Sequence, residues 1–93
     1  MVARNWRTSI GEIDLVLTLG NLVVVCEVKS RASEAFGGPE SAVGVVKQRR
    51  LRRLAAAWLA EAIAVGTVTE VREIRFDVVA VVGGKVRVVE GAF

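Results

Sequence analysis

The sequence predicts an α/β fold in which a mixed central β-sheet of about five strands carries one crossover helix. Two observations support this fold class. Valine-rich segments alternate apolar and polar residues, as half-buried strands do, and one stretch after residue 44 changes to helical periodicity. With 93 residues, 53% of them hydrophobic, residues 1–93 are expected to form one domain with one core.

The N-terminal part of the chain predicts three strands. Alternation starts near Val2 and is clear in "GEIDLVLTL". The pair Gly20-Asn21 favours a tight turn, so "LVVVCEVKS" is predicted to return as the antiparallel partner in a β-hairpin. On strict alternation, the expected faces are Ile13, Leu15 and Leu17 on one side and Glu12, Asp14 and Val16 on the other.

The rest of the chain predicts a loop, one helix and two more strands. Residues 30–44 contain small residues, Gly-Gly and the only proline, which predicts a loop. From Val45 to about Val65 the helical period predicts an amphipathic helix that ends at Gly66. The segments "EIRFDVVAVV" and "KVRVVEGAF" predict strands joined at Gly83-Gly84. The expected apolar stripe of the helix is Leu51, Leu54, Ala55, Trp58, Leu59, Ala62 and Ile63.

Composition restricts the chemistry that the chain can perform. It has no histidine and one cysteine, Cys26, which excludes the common zinc sites and histidine-based triads. Neither a signal peptide nor a membrane-spanning apolar run is visible, so we expect a reduced, cytoplasmic protein without a membrane partner. The formal net charge is +3, and five of the seven residues from Lys47 to Arg53 are basic, which suggests a polyanionic partner.

The hairpin carries unexpected charges. If Gly20 and Asn21 form the turn, Asp14 lies across from Glu27, and Glu12 lies across from Lys29, all on one face. Directly opposed like charges destabilise a sheet. A Mg²⁺ or Mn²⁺ ion would offset the repulsion, because these ions bind carboxylate oxygens and substrate phosphate. Lys29 could then contact the phosphate or the attacking water, an arrangement suited to phosphodiester hydrolysis.

The same spacing has a structural explanation. Lys29 could pair with Glu12 and Asp14 in a solvent-facing network of salt bridges, with Glu27 tolerated at the edge of the sheet. A bulge or a three-residue turn would also separate the charges. Spacing alone does not decide between the two interpretations.

Five segments of the chain resemble those of one known protein family. The segments "ARNWRTSIGEIDLV", "VCEVKSRASEAFGG", "KQRRL", "RFDVVAV" and "EGAF" resemble the YraN-type family, a branch of the PD-(D/E)xK nuclease superfamily that is similar in fold to archaeal Holliday-junction resolvases. The likeness covers nearly the whole chain. It implies a restriction-endonuclease-like core and a Mg²⁺- or Mn²⁺-dependent endonuclease that acts on nucleic acid, with DNA the expected substrate.

The resemblance also implies roles for single residues. Asp14 and Glu27 would bind the metal with the backbone carbonyl of Val28, and Lys29 would be the catalytic lysine of the signature. Gln48 matches a position that supports such sites, and Asp77 matches the family pattern without an assigned role. Glu12, which shares the charged face of the hairpin, is also expected to support the site. The basic residues expected to bind nucleic acid are Arg4, Arg7, Arg31, Lys47, Arg49, Arg50 and Arg53.

One departure from the family affects assembly and function. Family members usually begin with a helix that carries a further acidic residue, and this sequence starts just short of the "NWR" strand. One helix covers only one face of a sheet, so we expect either a longer natural chain or a homodimer through the uncovered sheet face or helix. The alternative to a nuclease is a non-catalytic nucleic-acid-binding module or assembly subunit. A third alternative is an interaction domain whose charges are only solvated.

Overall fold

The computed structural model describes residues 2–31 and 44–93, except for the side chains of Ser30, Arg31 and Val82. Its order of elements, β-β-β-α-β-β, confirms the predicted fold class. Most of the predicted 30–44 loop lies outside the described residues. The elements are β1 Ala3–Thr8, β2 Gly11–Leu19, β3 Leu22–Arg31, α1 Val45–Ala64, β4 Glu73–Val82 and β5 Lys85–Val89.

The five strands form one mixed sheet in the order β1-β2-β3-β4-β5. The pairs β1–β2, β2–β3 and β4–β5 are antiparallel, whereas β3 and β4 are parallel. Parallel neighbours need a crossover connection, and α1 lies between β3 and β4 in the chain, as predicted. No helix in the described part of the chain is long and apolar enough to cross a bilayer.

The two tight turns that the sequence predicted, at Gly20 and at Gly83-Gly84, are formed in the structure. Gly20 has a φ of 62°, and the β2–β3 ladder starts at the pair Leu19 and Leu22, which confirms the predicted register next to the turn. Gly83 and Gly84 have φ values of 55° and 78° between β4 and β5. These positive φ values are readily adopted by glycine and favour the primed turns of hairpins.

The predicted alternation along β2 is wrong. Ile13 and Val16 both have no exposed surface and both belong to the core beneath the helix, although they are three residues apart. The side of β2 that faces the helix therefore changes between them. The neighbouring strand is irregular at the same level, because Asn5 adopts a φ of 53° between Ala3, which pairs with Val16, and Trp6, which pairs with Ile13.

Helix α1 packs across the sheet. Gly44 is its N-cap, its carbonyl accepts the Gln48 N–H at 2.9 Å, and Gly66 follows its end with a φ of 79°, as predicted. One predicted stripe residue differs, since Ile63 is 52% exposed. The buried helix residues are Leu51, Leu54, Ala55, Trp58 and Ala62, and they pack on Ile13, Val16, Val23, Val25, Phe76 and Val78.

The sheet face opposite the helix is partly covered by the chain's own residues. Val24 and Cys26 are buried there, and the register places Arg75 and Asp77 of β4 beside them. Val86 and Val88 on β5 remain exposed. The two central positions of β3 therefore need no second chain to be buried, and the homodimer stays a prediction.

Candidate metal and phosphate site

The candidate site lies where β2 and β3 separate. Their ladder ends at the pair Leu15 and Cys26. Beyond it, Asp14 Oδ2 accepts the Val28 N–H at 2.8 Å, so a carboxylate replaces the backbone acceptor that a continued ladder would supply. The predicted direct pairing of Asp14 with Glu27 is thus not formed. The hydrogen bond instead holds the Asp14 carboxylate between the two strands.

Glu27 is a buried carboxylate under the first turns of the helix. It is 6% exposed, and its partner across the parallel ladder is the core residue Val78. It alternates with Val23 and Val25, which also belong to the core beneath α1. A charge buried at this depth requires close partners.

A cavity of about 210 Å³ brings the predicted acidic residues together. Its sheet side contains Asp14 and Glu27, and its helix side contains Lys47 and Arg50. The other lining residues are Gly11, Glu12, Leu51 and Leu54. Asp14 also lines a second cavity of about 350 Å³ with Arg4, Asn5, Leu15 and Val28. The Asp14 carboxylate therefore stands between two openings.

Two lysines share one oxygen of Glu27. Lys29 Nζ lies 3.4 Å from Oε1, and Lys47 Nζ, from the helix, bonds to the same oxygen. Glu12 pairs instead with Arg7, at 3.4 Å. The predicted opposition of Glu12 and Lys29 is therefore wrong, and so is the alternative in which Lys29 pairs with Glu12 and Asp14 at the surface. The physical reason is that the β2–β3 ladder ends at Leu15 and Cys26, so Glu12 and Lys29 are no longer paired across it.

The two lysines affect each other's proton affinity in opposite directions. The hydrogen bond from Lys47, together with burial and the positive charge of Lys47, lowers the pKa of Lys29 against the opposing effect of Glu27. Burial acts to lower the pKa of Lys47 as well, but hydrogen bonds to Glu27 and Lys29 and the charges of Glu27 and Asp14 outweigh it. The pKa of Lys47 is therefore raised.

Gly11 lets the helix approach the start of β2. A Cβ on this residue would lie 3.1 Å from Arg50 Cδ and 3.2 Å from Leu54 Cδ1, and its φ of 149° already disfavours other residues. The stem of Arg50 can thus lie directly against β2. This close approach forms the helix wall of the cavity.

Asp77, which had no assigned role, lies on the other face of the sheet. It is 4% exposed, and its ladder partner is Cys26. Its carboxylate accepts Arg75 Nε at 2.9 Å, an Arg75 terminal nitrogen at 3.0 Å and the Gly91 N–H at 2.9 Å. These bonds tie β4 to the C-terminal segment. Burial raises the pKa of Cys26, and the nearby Asp77 charge raises it further. Nucleophilic thiols have lowered pKa values instead, so Cys26 does not resemble one.

The remaining predicted residues lie around the cavity or on the surface of the helix. Gln48 is half-buried in the first turns of α1, and Val28 presents its N–H to Asp14. Arg31's side chain lies outside the described residues. The exposed predicted arginines are Arg4, Arg7, Arg49, Arg50 and Arg53.

Sequence reasoning missed the contact of Lys47 with Glu27. It had assigned Lys47 to nucleic-acid binding, as one of a basic run on the helix. The contact joins residues 20 positions apart in different elements, so no strand or helix period could reveal it. The basic run of the helix was the one feature of the sequence that pointed to a role for Lys47, but it did not identify Glu27 as the partner.

The residues present fit a hard divalent cation. Asp14 and Glu27 offer carboxylate oxygens to one cavity, and Mg²⁺ is often bound by one or two carboxylates with water and phosphate completing the shell. In residues 2–31 and 44–93, no group of three or more His, Cys, Asp or Glu side chains is placed to hold a metal ion. Carboxylate oxygens without histidine or thiolate ligands suit Mg²⁺ or Mn²⁺ better than zinc.

Comparison with known proteins supports the assignment to a family. The family described as "Uncharacterised protein family UPF0102" matches residues 1–81. A UPF0102 protein of Nocardioides sp. is 48% identical over 82 residues, which cover 88% of this chain and 62% of that protein. A UPF0102 protein of Bordetella avium is 44% identical over 93 residues, all of this chain and 61% of the relative. The chain therefore spans about three fifths of the length of these two relatives.

Proposed function

This chain belongs to the UPF0102 family, and we propose that it is a metal-dependent nuclease that hydrolyses phosphodiester bonds in nucleic acid, with DNA as the expected substrate. The observation that carries the proposal is the meeting of Asp14, Glu27 and two lysines at one cavity between sheet and helix. Lysine side chains are flexible, so a buried carboxylate that they contact can release them and bind another cation.

Asp14 and Glu27 are the proposed ligands of Mg²⁺ or Mn²⁺, with the Val28 carbonyl as a further ligand. When bound, the ion would supply Lewis-acid stabilisation of the charge that builds on the phosphate oxygens. The hydrogen bond from the Val28 N–H fixes the Asp14 carboxylate at 2.8 Å, so one ligand is oriented before any cation arrives. Glu12 and Gln48 are proposed to support these ligands.

Lys29 is the proposed group that positions the attacking water and takes its proton. It lies 3.4 Å from Glu27 Oε1 and its side chain is 25% exposed, so it borders the proposed metal position without being sealed from water. Its lowered pKa makes the neutral amine, which can accept a proton, easier to reach than in an ordinary lysine.

The basic face of α1 is the proposed binding surface for the nucleic-acid backbone. Lys47 and Arg50 line the cavity, and Arg49 and Arg53 are exposed on the same helix. The first turn of α1 contains no acidic residue, so no side chain of the helix itself neutralises the positive end of its dipole. Phosphate groups close to the cavity would meet these charges directly.

A second candidate function is a nucleic-acid-binding module without catalysis. It is favoured by the contacts of Lys29 and Lys47 with Glu27, because these ammonium groups can neutralise the carboxylate themselves. The two candidates bind the same partner and differ in whether a cation enters the cavity.

Calorimetry with Mn²⁺ and a plasmid-nicking assay test the proposal. We expect Mn²⁺ binding by the wild type, its loss in Asp14→Asn, and metal-dependent nicking that both Asp14→Asn and Lys29→Ala abolish. Salt-sensitive binding of DNA without Mn²⁺ binding or nicking would overturn the nuclease and support the module. Lys85→Ala, at an exposed lysine of β5, is the matched control for Lys29→Ala.

A further inference from the structure

Lys47 makes a contact that the proposed chemistry does not need. Its ammonium bonds to Glu27 Oε1, although Lys29 already lies 3.4 Å from that oxygen. Two ammonium groups therefore meet at one oxygen of a single carboxylate. Two like charges held this close to one oxygen repel each other.

We propose that Lys47 competes with a divalent cation for Glu27, and that the Lys47 ammonium would move to the substrate phosphate if a cation were bound by this carboxylate. This inference rests on the proposed function, because it takes Glu27 as a metal ligand. It makes Lys47 a positioning residue that exchanges one anion for another.

The geometry allows this exchange without movement of the helix. Lys47 lies in the first turn of α1, and its side chain is 36% exposed, whereas the Glu27 side chain is 7% exposed. The ammonium therefore reaches a buried carboxylate from the solvent side of the cavity. A lysine stem is flexible, so the head group can withdraw towards the opening that Arg50 also lines.

Charge balance supplies the reason to move. The cavity is lined by Glu12, Asp14 and Glu27 and by Lys47 and Arg50, with Lys29 against Glu27. Counting Arg7, the partner of Glu12, three acids already face four bases. An entering divalent ion adds two positive charges at the same carboxylate, which repels the ammonium and leaves it available to an anionic phosphate.

Calorimetric titration with Mn²⁺ alone tests the exchange. Because the competing ammonium is absent, Lys47→Gln should bind Mn²⁺ about tenfold more tightly than wild type, and Lys47→Ala should show the same direction. Lys47→Arg keeps the charge and should bind Mn²⁺ with near wild-type affinity. Lys85→Gln removes the same charge from exposed β5 and should change the dissociation constant by less than about twofold.

A second measurement follows the ammonium to the phosphate. With a fluorescent DNA duplex, Lys47→Gln should lose more affinity in Ca²⁺, used as a cation that supports binding, than in EDTA. The reason is that wild-type Lys47 is released to the phosphate only when a cation occupies Glu27. Equal losses in both buffers would overturn the exchange.

The outcomes separate this inference from the proposed function. If wild type binds Mn²⁺ and Lys47→Gln binds it no more tightly, the exchange is overturned while the metal site stands. If neither protein binds Mn²⁺, both the exchange and the metal-dependent nuclease are overturned. Binding by Lys47→Gln that exceeds wild type, without a matching change in Lys85→Gln, supports the exchange.

Discussion

Two buried carboxylates on adjacent strands differ in the partners that hold them. Asp77 on β4 is bonded by the planar fork of Arg75 and by the Gly91 N–H, whereas Glu27 on β3 meets two lysine ammonium groups at one oxygen. Both are less than a tenth exposed. A guanidinium fork with a backbone donor fixes a carboxylate, while ammonium groups on flexible stems do not.

We propose different tasks for the two acids on the basis of this difference. Asp77 lies beside Cys26 on the face away from the helix and joins β4 to the C-terminal residues, so its charge serves stability. Glu27 borders a cavity that two other acids and two bases line, so its charge is available to a ligand. Burial alone would have ranked the two residues alike.

The largest expected effect comes from Glu27→Gln. We expect Mn²⁺-dependent nicking to fall by more than about 100-fold, beyond the 10–100-fold typical for outer-shell partners, because a direct ligand is lost. Melting should change little, since the two lysines can turn to solvent. Parallel nicking and thermal-melting measurements check this. Unchanged nicking would contradict the proposed role of Glu27 as a metal ligand.

Asp77→Asn should reverse that pattern. Loss of the charged acceptor weakens three hydrogen bonds, and we expect the melting temperature to fall by roughly 8–15 °C in a domain of this size. Below the transition, nicking per folded molecule should stay within about threefold of wild type, because the residue is on the opposite face from the cavity. Calorimetric melting and nicking at low temperature are the measurements, and a 100-fold loss of nicking would contradict the comparison.

A smaller effect is expected for the basic helix surface. Arg50→Gln and Arg53→Gln should each reduce the slope of log affinity against log salt by about 0.9, if each arginine neutralises one phosphate of B-DNA. Arg52 is the matched control on the same helix, since its guanidinium lies over Phe76 at 4.8 Å and Phe93 at 5.6 Å. Arg52→Gln should alter stability and leave the slope near the wild-type value. Fluorescence anisotropy across a salt series distinguishes them.

The smallest expected effect is a shift in titration. Lys29 should lose its proton at lower pH than Lys47, and Lys47→Gln should raise the pKa of Lys29, because the Lys47 hydrogen bond is the largest cause of its lowering. NMR titration of the lysine side-chain carbons measures both. A Lys29 titration that does not move in Lys47→Gln would contradict the shared oxygen.

The same shift has a consequence for stability. Between the folded and unfolded pKa values of Lys29, the unfolded chain binds more protons, so this lysine makes stability rise as pH rises towards the ordinary lysine pKa. Lys47 acts oppositely, because its raised pKa adds stability that is lost as pH rises through its folded value. Thermal melting of wild type and Lys29→Met measures this effect between neutral and alkaline pH. The melting temperature of wild type should rise relative to that of the variant as pH increases.

Local sequence patterns were sufficient to predict most of the fold. The helix from Val45 to Ala64 and the turns at Gly20 and Gly83-Gly84 follow from periodicity and from glycine chemistry, which act over a few residues. Strict alternation failed between Ile13 and Val16, because the irregular neighbour at Asn5 and the end of the ladder at Leu15 change the face of β2. A period cannot encode an irregularity in another strand.

The sequence by itself determined the order of strands and helix, the hairpin register near its turn, and the presence of acids and lysines at signature spacing. Only the tertiary structure decided which of them meet. It placed Asp14 on the Val28 N–H, brought Lys47 to Glu27 and separated Asp77 onto the other face. The physical reason is that periodicity and turn chemistry are local, whereas a carboxylate's partners depend on how distant elements pack.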